Sequence, residues 1–260
     1  MRRFFLVLIA ALGACTDAGT DPNTVLGLRF DGSSYPSIVA GDSLRDSLGT
    51  LQPLLATAFN YKGDPVEGAQ VVFSSPDTVL QMFADGGVFA RARKPDGTPA
   101  RVFATIGVLQ SQPDSLFTVP RADSIRPDKG SQTVVVTSAL GGVSPADSLP
   151  FVVFGDTATL APKTFVPAWL VSFQLRYRGA LLSPADTTVA YTFFATTGAN
   201  PRRVPSSVDT TDASGKAARA VFVRSISATE DTIYVVATIR QRKAGTPSKS
   251  AQTMILLRPQ

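Results

Sequence analysis

Histidine is absent from all 260 residues, and cysteine occurs once, at Cys15. Without imidazole there is no Ser-His-Asp or Cys-His nucleophile system, and zinc loses its commonest protein ligand. Glutamate occurs only at Glu67 and Glu230, each in or beside a turn, so the carboxylate pair of a glycosidase has few candidates. The aspartates sit mostly in Asp-Ser, Asp-Gly, Asp-Pro and Asp-Thr pairs, which belong to turns and caps. The glycine-rich Asp85-Gly86-Gly87 and Leu140-Gly141-Gly142 lack the strand-to-helix setting of a phosphate-cradling loop and read as hairpin turns. No run approaches the roughly 20 apolar residues of a membrane-spanning helix. Helical periodicity is missing beyond the first fifteen residues. An enzyme is not expected.

What is present begins at the N-terminus, with Arg2, Arg3, an apolar run from Phe4 to Leu12, and then Leu12-Gly13-Ala14-Cys15. Charge, short apolar stretch and small residues form a secretory signal, and the last four residues resemble the bacterial lipobox. That resemblance implies cleavage before Cys15, so that residues 1–14 are a signal peptide and 15–23 a lipidated cysteine with its tether. Each buried methylene of an acyl chain contributes about 0.8 kcal/mol, and more than one chain gives stable anchoring. Thr16, rather than Asp, follows the cysteine, which points to the outer membrane. The expected address is the cell envelope, with the membrane itself as first partner through the lipid. With Cys15 so used, no internal disulfide is left.

Hydrophobic residues make up 44% of the chain, enough to support real cores. Runs such as Thr133-Val134-Val135-Val136-Thr137 and Thr232-Ile233-Tyr234-Val235-Val236-Ala237 are β-branched, short and bounded by turn formers. Charge is uneven. Residues 16–155 hold ten Lys+Arg against fourteen Asp+Glu, a net of −4, and residues 156–260 hold thirteen against six, a net of +7. Two readings stay open: oppositely charged solvated surfaces that attract each other weakly, or a basic C-terminal half that meets an anionic glycan or lipopolysaccharide. The contact residues in the second reading are Arg202, Arg203, Arg240, Arg242 and Lys243. Nucleic acid is not an expected partner, because the basic residues have no interleaved aromatics and no binding motif.

The chain also repeats. Leu54–Gly63 aligns without gaps on Leu170–Gly179, Asp96–Arg101 echoes Ser214–Arg219, and Thr133–Val136 falls opposite Thr232–Val235. A period near one hundred residues is the size of an immunoglobulin-like sandwich. The expected domains are 24–155, with an insertion at about 109–130, and 156–260, joined by the short Phe154-Gly155-Asp156-Thr157. Leu55, Thr57 and Phe59 are expected to face inward and Ala56, Ala58 and Asn60 outward. Phe59, Phe73 and Phe103 would fill one core, and Leu175, Tyr191, Phe193 and Phe222 the other.

Gly63-Asp64-Pro65-Val66-Glu67-Gly68-Ala69-Gln70-Val71-Val72-Phe73-Ser74 resembles the "G-x-P-V-x-G-x-x-V-x-F" segment of bacterial Ig-like domains of the invasin and intimin type. Thr210-Thr211-Asp212-Ala213-Ser214-Gly215-Lys216-Ala217 resembles their "T-D-A-x-G-x-A" turn. The resemblance implies an all-β chain of two Ig-like antiparallel β-sandwiches in tandem, acting as spacer or interaction unit. The lectin-like tip and the membrane barrel of intimin-type proteins have no counterpart. Asp209, Asp212 and Asp156 are the calcium candidates, but their spacing lacks the alternating carboxylates of a calcium loop, and a plain turn is the simpler reading. No cofactor is expected beyond the covalent lipid on Cys15. Trp169 is expected to pack in a core or between domains rather than to stack on a sugar. Three functions remain: a non-catalytic spacer or protein- and cell-surface-interaction module, a binder of anionic glycan or lipopolysaccharide, or an accessory subunit of a secretion or adhesion assembly.

Overall fold

A computed structural model describes residues 23–136, 142–143, 149–155, 164–183, 191–195, 204–224, 231–243 and 245–259. Cys15, Arg202, Arg203 and Asp156 lie outside them. Among the described residues every regular element is a strand.

The N-terminal unit contains β1 (Gly27–Gly32), β2 (Ser37–Val39), β3 (Leu55–Phe59), β4 (Val72–Ser74), β5 (Leu80–Met82), β6 (Val88–Ala90), β7 (Ala100–Ile106), β8 (Leu109–Gln110) and β9 (Asp114–Val119). One sheet runs β2-β9-β7-β4, and the pairs β1-β3 and β5-β6 lie apart from it. Ile38, Leu44, Leu54, Leu80, Val88 and Leu116 fill the space between them.

The second unit contains β10 (Ala122–Pro127), β11 (Gln132–Val136), β12 (Gly142–Val143), β13 (Leu149–Gly155), β14 (Thr164–Phe165), β15 (Leu170–Tyr177), β16 (Ala180–Leu181), β17 (Tyr191–Ala195), β18 (Val204–Pro205), β19 (Val208–Thr210), β20 (Lys216–Val223), β21 (Asp231–Ile239) and β22 (Lys249–Pro259). Its sheets run β10-β13-β20-β17-β18 and β11-β22-β21-β15-β16. Phe151 and Phe193 from the first reach Phe173 of the second, with ring centroids 5.9 and 6.0 Å apart. The chain is therefore two Ig-like sandwiches in tandem.

The boundary differs from the sequence expectation. Ile125, Val134, Leu149, Phe151 and Val153 belong to the second core, and β10, β11 and β13 pair within its sheets. The supposed insertion at 109–130 is instead strand structure, β8, β9 and β10. The linker is Pro120-Arg121, not Phe154–Thr157. The charge asymmetry survives the shift, since residues 121–155 carry three charges of each sign.

The repeat is real, but its strands are not those the alignment matched. β2 runs parallel to the last strand of the first sandwich, β9, as β11 runs parallel to the last strand of the second, β22. Antiparallel β7 and β4 follow β9 in one sheet, and β21 and β15 follow β22 in the other. By that order β4 corresponds to β15 and β7 to β21. The alignment instead matched β3 with β15 and β7 with β20, and its third pair, Thr133–Val136 and Thr232–Val235, lies wholly within the second sandwich.

Three expected faces are inverted. Leu54, Ala58 and Asn60 are buried, while Leu55 is 60% exposed. On the outer face, Arg29 covers the Phe59 ring at 5.1 Å. β7 buries Ala100, Val102 and Ala104 rather than Phe103, and β20 buries Val221 and Val223 rather than Phe222. Period-two alternation shows that a strand has two faces; a one-residue change of phase swaps them. Leu175 and Phe193 are buried as expected, with Tyr191 packed against the same core.

Candidate functional site at the seam between the sandwiches

The hairpin joining β21 to β22 reaches into the first sandwich, and Arg242 is its tip. Arg242 adopts φ 54°, in the left-handed region, and is only 2% exposed. Its guanidinium lies 3.7 Å from the Tyr35 ring centroid and 5.3 Å from that of Trp169. Nη1 donates to Ser37 O at 2.8 Å, Nη2 donates to Arg45 O, and Nε reaches Asp46 O at 3.4 Å. A buried cation is costly unless paired or hydrogen-bonded; here three carbonyls and two aromatic faces replace water. Burial pushes this guanidinium down to about 10, while nearby Tyr35, Asp42 and Asp46 act in the opposite direction. It is charged at neutral pH.

Trp169 is the platform of the seam. The residue is fully buried, and its indole Nε1 donates to Arg240 O at 3.1 Å. The segment around it is fixed by the Thr-Asp-Ala-Ser-Gly stretch. Thr211 Oγ1 donates to Val166 O at 2.7 Å and accepts from Trp169 N at 2.9 Å. Asp212 Oδ1 caps the turn through Ser214 N, Ser214 Oγ and Lys216 N. The sequence motif thus clamps the backbone that the first sandwich grips: Ser37 Oγ donates to Ala168 O at 2.8 Å, and Leu170 N donates to Tyr35 Oη at 2.8 Å.

The linker adds a second clasp. Arg121 pairs with Asp42 Oδ2 at 2.7 Å and donates to Gln241 O at 3.0 Å. Burial raises the Asp42 carboxyl, but hydrogen bonds from Arg121, Ser43 N–H and Arg45 outweigh it and hold the group below the ordinary aspartate value. Part of the opposite charge of the two halves is therefore spent at the seam. Gly155 passes so close to the linker that a Cβ there would lie 2.6 Å from Arg121 O.

Of the five basic candidates, the three among the described residues separate. Arg242 is structural, buried and turned toward the first sandwich, whereas its neighbours Arg240 and Lys243 are exposed. Sequence could not make that distinction, because all three stand in one polar hairpin loop. The two calcium candidates among the described residues are engaged otherwise: Asp209 pairs with Arg219 at 2.8 Å and accepts from Ala218 N at 2.8 Å, and Asp212 caps its turn. Among the described residues no three His, Cys, Asp or Glu side chains converge.

No family model and no curated protein matches the sequence. Among solved structures, the chain is similar to the adhesin InvE of Yersinia pseudotuberculosis, at 13% identity and a TM-score of 0.30, covering 88% of this chain and 58% of that one. It is also similar to human mucin-like protocadherin EC1-2, at 10% identity and a TM-score of 0.30, covering 91% and 97% of the two chains. Mouse clustered PcdhgC3 EC1-3 shows 14% identity and a TM-score of 0.31, covering 74% and 54%. The chain thus spans little more than half of the InvE chain. Likenesses this distant add nothing to the fold that the strand order already defines.

Proposed function

We propose that this chain is a non-catalytic envelope protein, held to a membrane by lipid on Cys15, whose two Ig-like sandwiches act as one stiff spacer or interaction module. The seam carries this reading. A flexible tether needs no buried arginine stacked on two rings, whereas an element that holds a surface at a set distance needs its joint fixed. The two-residue linker and the Arg121–Asp42 pair act in the same sense. An accessory role in a larger assembly is compatible with the same stiffness.

The anchoring part is tested by metabolic labelling with an alkyne fatty acid, followed by membrane fractionation. Label and membrane association in the wild type, with both lost in Cys15→Ser, is the expected result. An unlabelled wild type, or a Cys15→Ser chain that stays in the membrane fraction, contradicts it.

A further inference from the structure

Two depressions meet at the exposed Arg240, and both are built from the two sandwiches together. The smaller, about 220 Å³, is lined by Ser47 and Leu48 of the first sandwich and by Arg240, Lys243, Thr246 and Ser248 of the second. The larger, about 360 Å³, shares Ser47, Leu48 and Arg240 and adds Tyr35, Val208 and Thr238. No aspartate or glutamate lines either one, whereas aspartates line the grooves beside Asp31 and beside Asp209. The acids nearest the seam are engaged: Asp46 Oδ1 accepts from Leu48 N and Thr50 N, and Asp42 holds Arg121. Arg240 and Lys243 form no side-chain hydrogen bond or ion pair among the described residues. The buried Arg242 beneath adds a third positive charge.

We propose that this paired depression binds an anionic saccharide, a sugar carrying a sulfate or phosphate group. The oxyanion would sit in the smaller depression between Arg240 and Lys243, with an adjoining ring over Leu48 and Val208 in the larger. The chemistry selects that class in three ways. A guanidinium and an ammonium at the mouth favour a tetrahedral oxyanion through charge-assisted hydrogen bonds. The hydroxyls of Ser47, Thr246 and Ser248 both donate and accept, which suits sugar hydroxyls better than a peptide backbone. The apolar patch at Leu48, which is 64% exposed, offers a surface for a ring face. Because the lining comes from both sandwiches, the site exists only while the seam is closed. The inference goes beyond the spacer reading and does not depend on lipid at Cys15.

Calorimetric titration of the purified full chain with a heparin-derived hexasaccharide, at about 0.05 M and about 0.15 M salt, tests it. Binding is expected to weaken with salt, to weaken roughly fivefold in Arg240→Ala and in Lys243→Ala, and to weaken in Leu48→Ser. Arg224→Ala, an exposed cation elsewhere on the second sandwich, should change it less than twofold. The same sugar presenting phosphate in place of sulfate should compete, and the fully desulfated hexasaccharide should not bind. Three results overturn the proposal: no binding at the lower salt, equal weakening by Arg224→Ala, or hexaglutamate binding as tightly as the sulfated sugar. The first of these leaves the spacer reading intact, since labelling and joint stiffness are measured separately.

Discussion

The guanidinium of Arg242, from the second sandwich, sits over the ring of Tyr35, from the first, with its carbon 3.7 Å from the ring centroid. The contact joins residues 207 positions apart in the chain, and both are buried. Around it the polar groups are well supplied with partners, and Val39 and Val119 of the first sandwich pack into the core of the second, so that the two sandwiches share one joint.

Arg242→Ala should cost about 3 kcal/mol, because a desolvated cation–π contact is worth up to about 2 kcal/mol and the carbonyls of Ser37 and Arg45 lose their donor. Arg242→Lys should recover less than half, since an ammonium cannot fork to two carbonyls while lying flat on a ring. Urea unfolding measures the cost. Trp169, the only tryptophan, supplies the local signal: its emission should shift to the red and become open to acrylamide in Arg242→Ala. Unchanged emission would mean that the joint does not depend on Arg242.

Tyr35 makes the joint sensitive to alkali. Burial pushes its phenol up to about 12 from the ordinary 10.0, against smaller opposite effects of the Leu170 N–H and Arg242. The folded state keeps the proton between those values while the unfolded chain loses it. The contribution is therefore full below pH 10 and is lost as pH rises towards about 12. Arg242, displaced downward, titrates in the same window with the opposite sign, so the wild-type curve alone is uninformative. The difference between wild type and Tyr35→Phe should fall by about 2–3 kcal/mol across that range. A difference that stays constant would show that the phenol is not buried as described.

Two glycines in similar turns should respond differently. Gly97 and Gly215 have φ of 69° and 71°, but a Cβ on Gly97 meets nothing within 4 Å, whereas one on Gly215 would lie 2.8 Å from Val153 O. Gly97→Ala should cost about 1 kcal/mol, the left-handed penalty alone. Gly215→Ala should cost about 3 kcal/mol, because backbone must move as well. Thermal unfolding of the two variants side by side gives the comparison.

The turns were the most legible part of the chain. Asp212-Ala213-Ser214-Gly215 and Lys62-Gly63-Asp64-Pro65 form tight turns between strands, as Asp, Gly and Pro dictate. The expected number of sandwiches was right too, but the aligned segments behind it are not equivalent strands, so the turn motifs and the chain length carried that reading better than the repeat did. The identity of the strands was not legible. β7 and β20 each follow a tight glycine turn, at Gly97 and Gly215, so local similarity matched them although they hold different places in their sheets. The boundary was misplaced for a related reason. Pro120-Arg121 reads as part of a proline-rich loop, and only the pairing of β10 with β13 shows that the second sandwich begins there. Of the basic loop 240–243, composition conveyed the charge but not that one arginine turns inward. Tyr35, Ser37 and Thr211 carried no sequence signal of a joint, since each contact spans more than forty residues.

The central claim is a fixed joint, and the most direct test is the distance distribution between spin labels on the two sandwiches. Val108→Cys in the β7–β8 turn and Leu181→Cys on β16 are exposed sites that can be labelled in a Cys15→Ser background. A single narrow distribution is predicted for otherwise wild-type protein, broadening when Arg242→Ala is added. A broad distribution before Arg242 is touched would contradict the account.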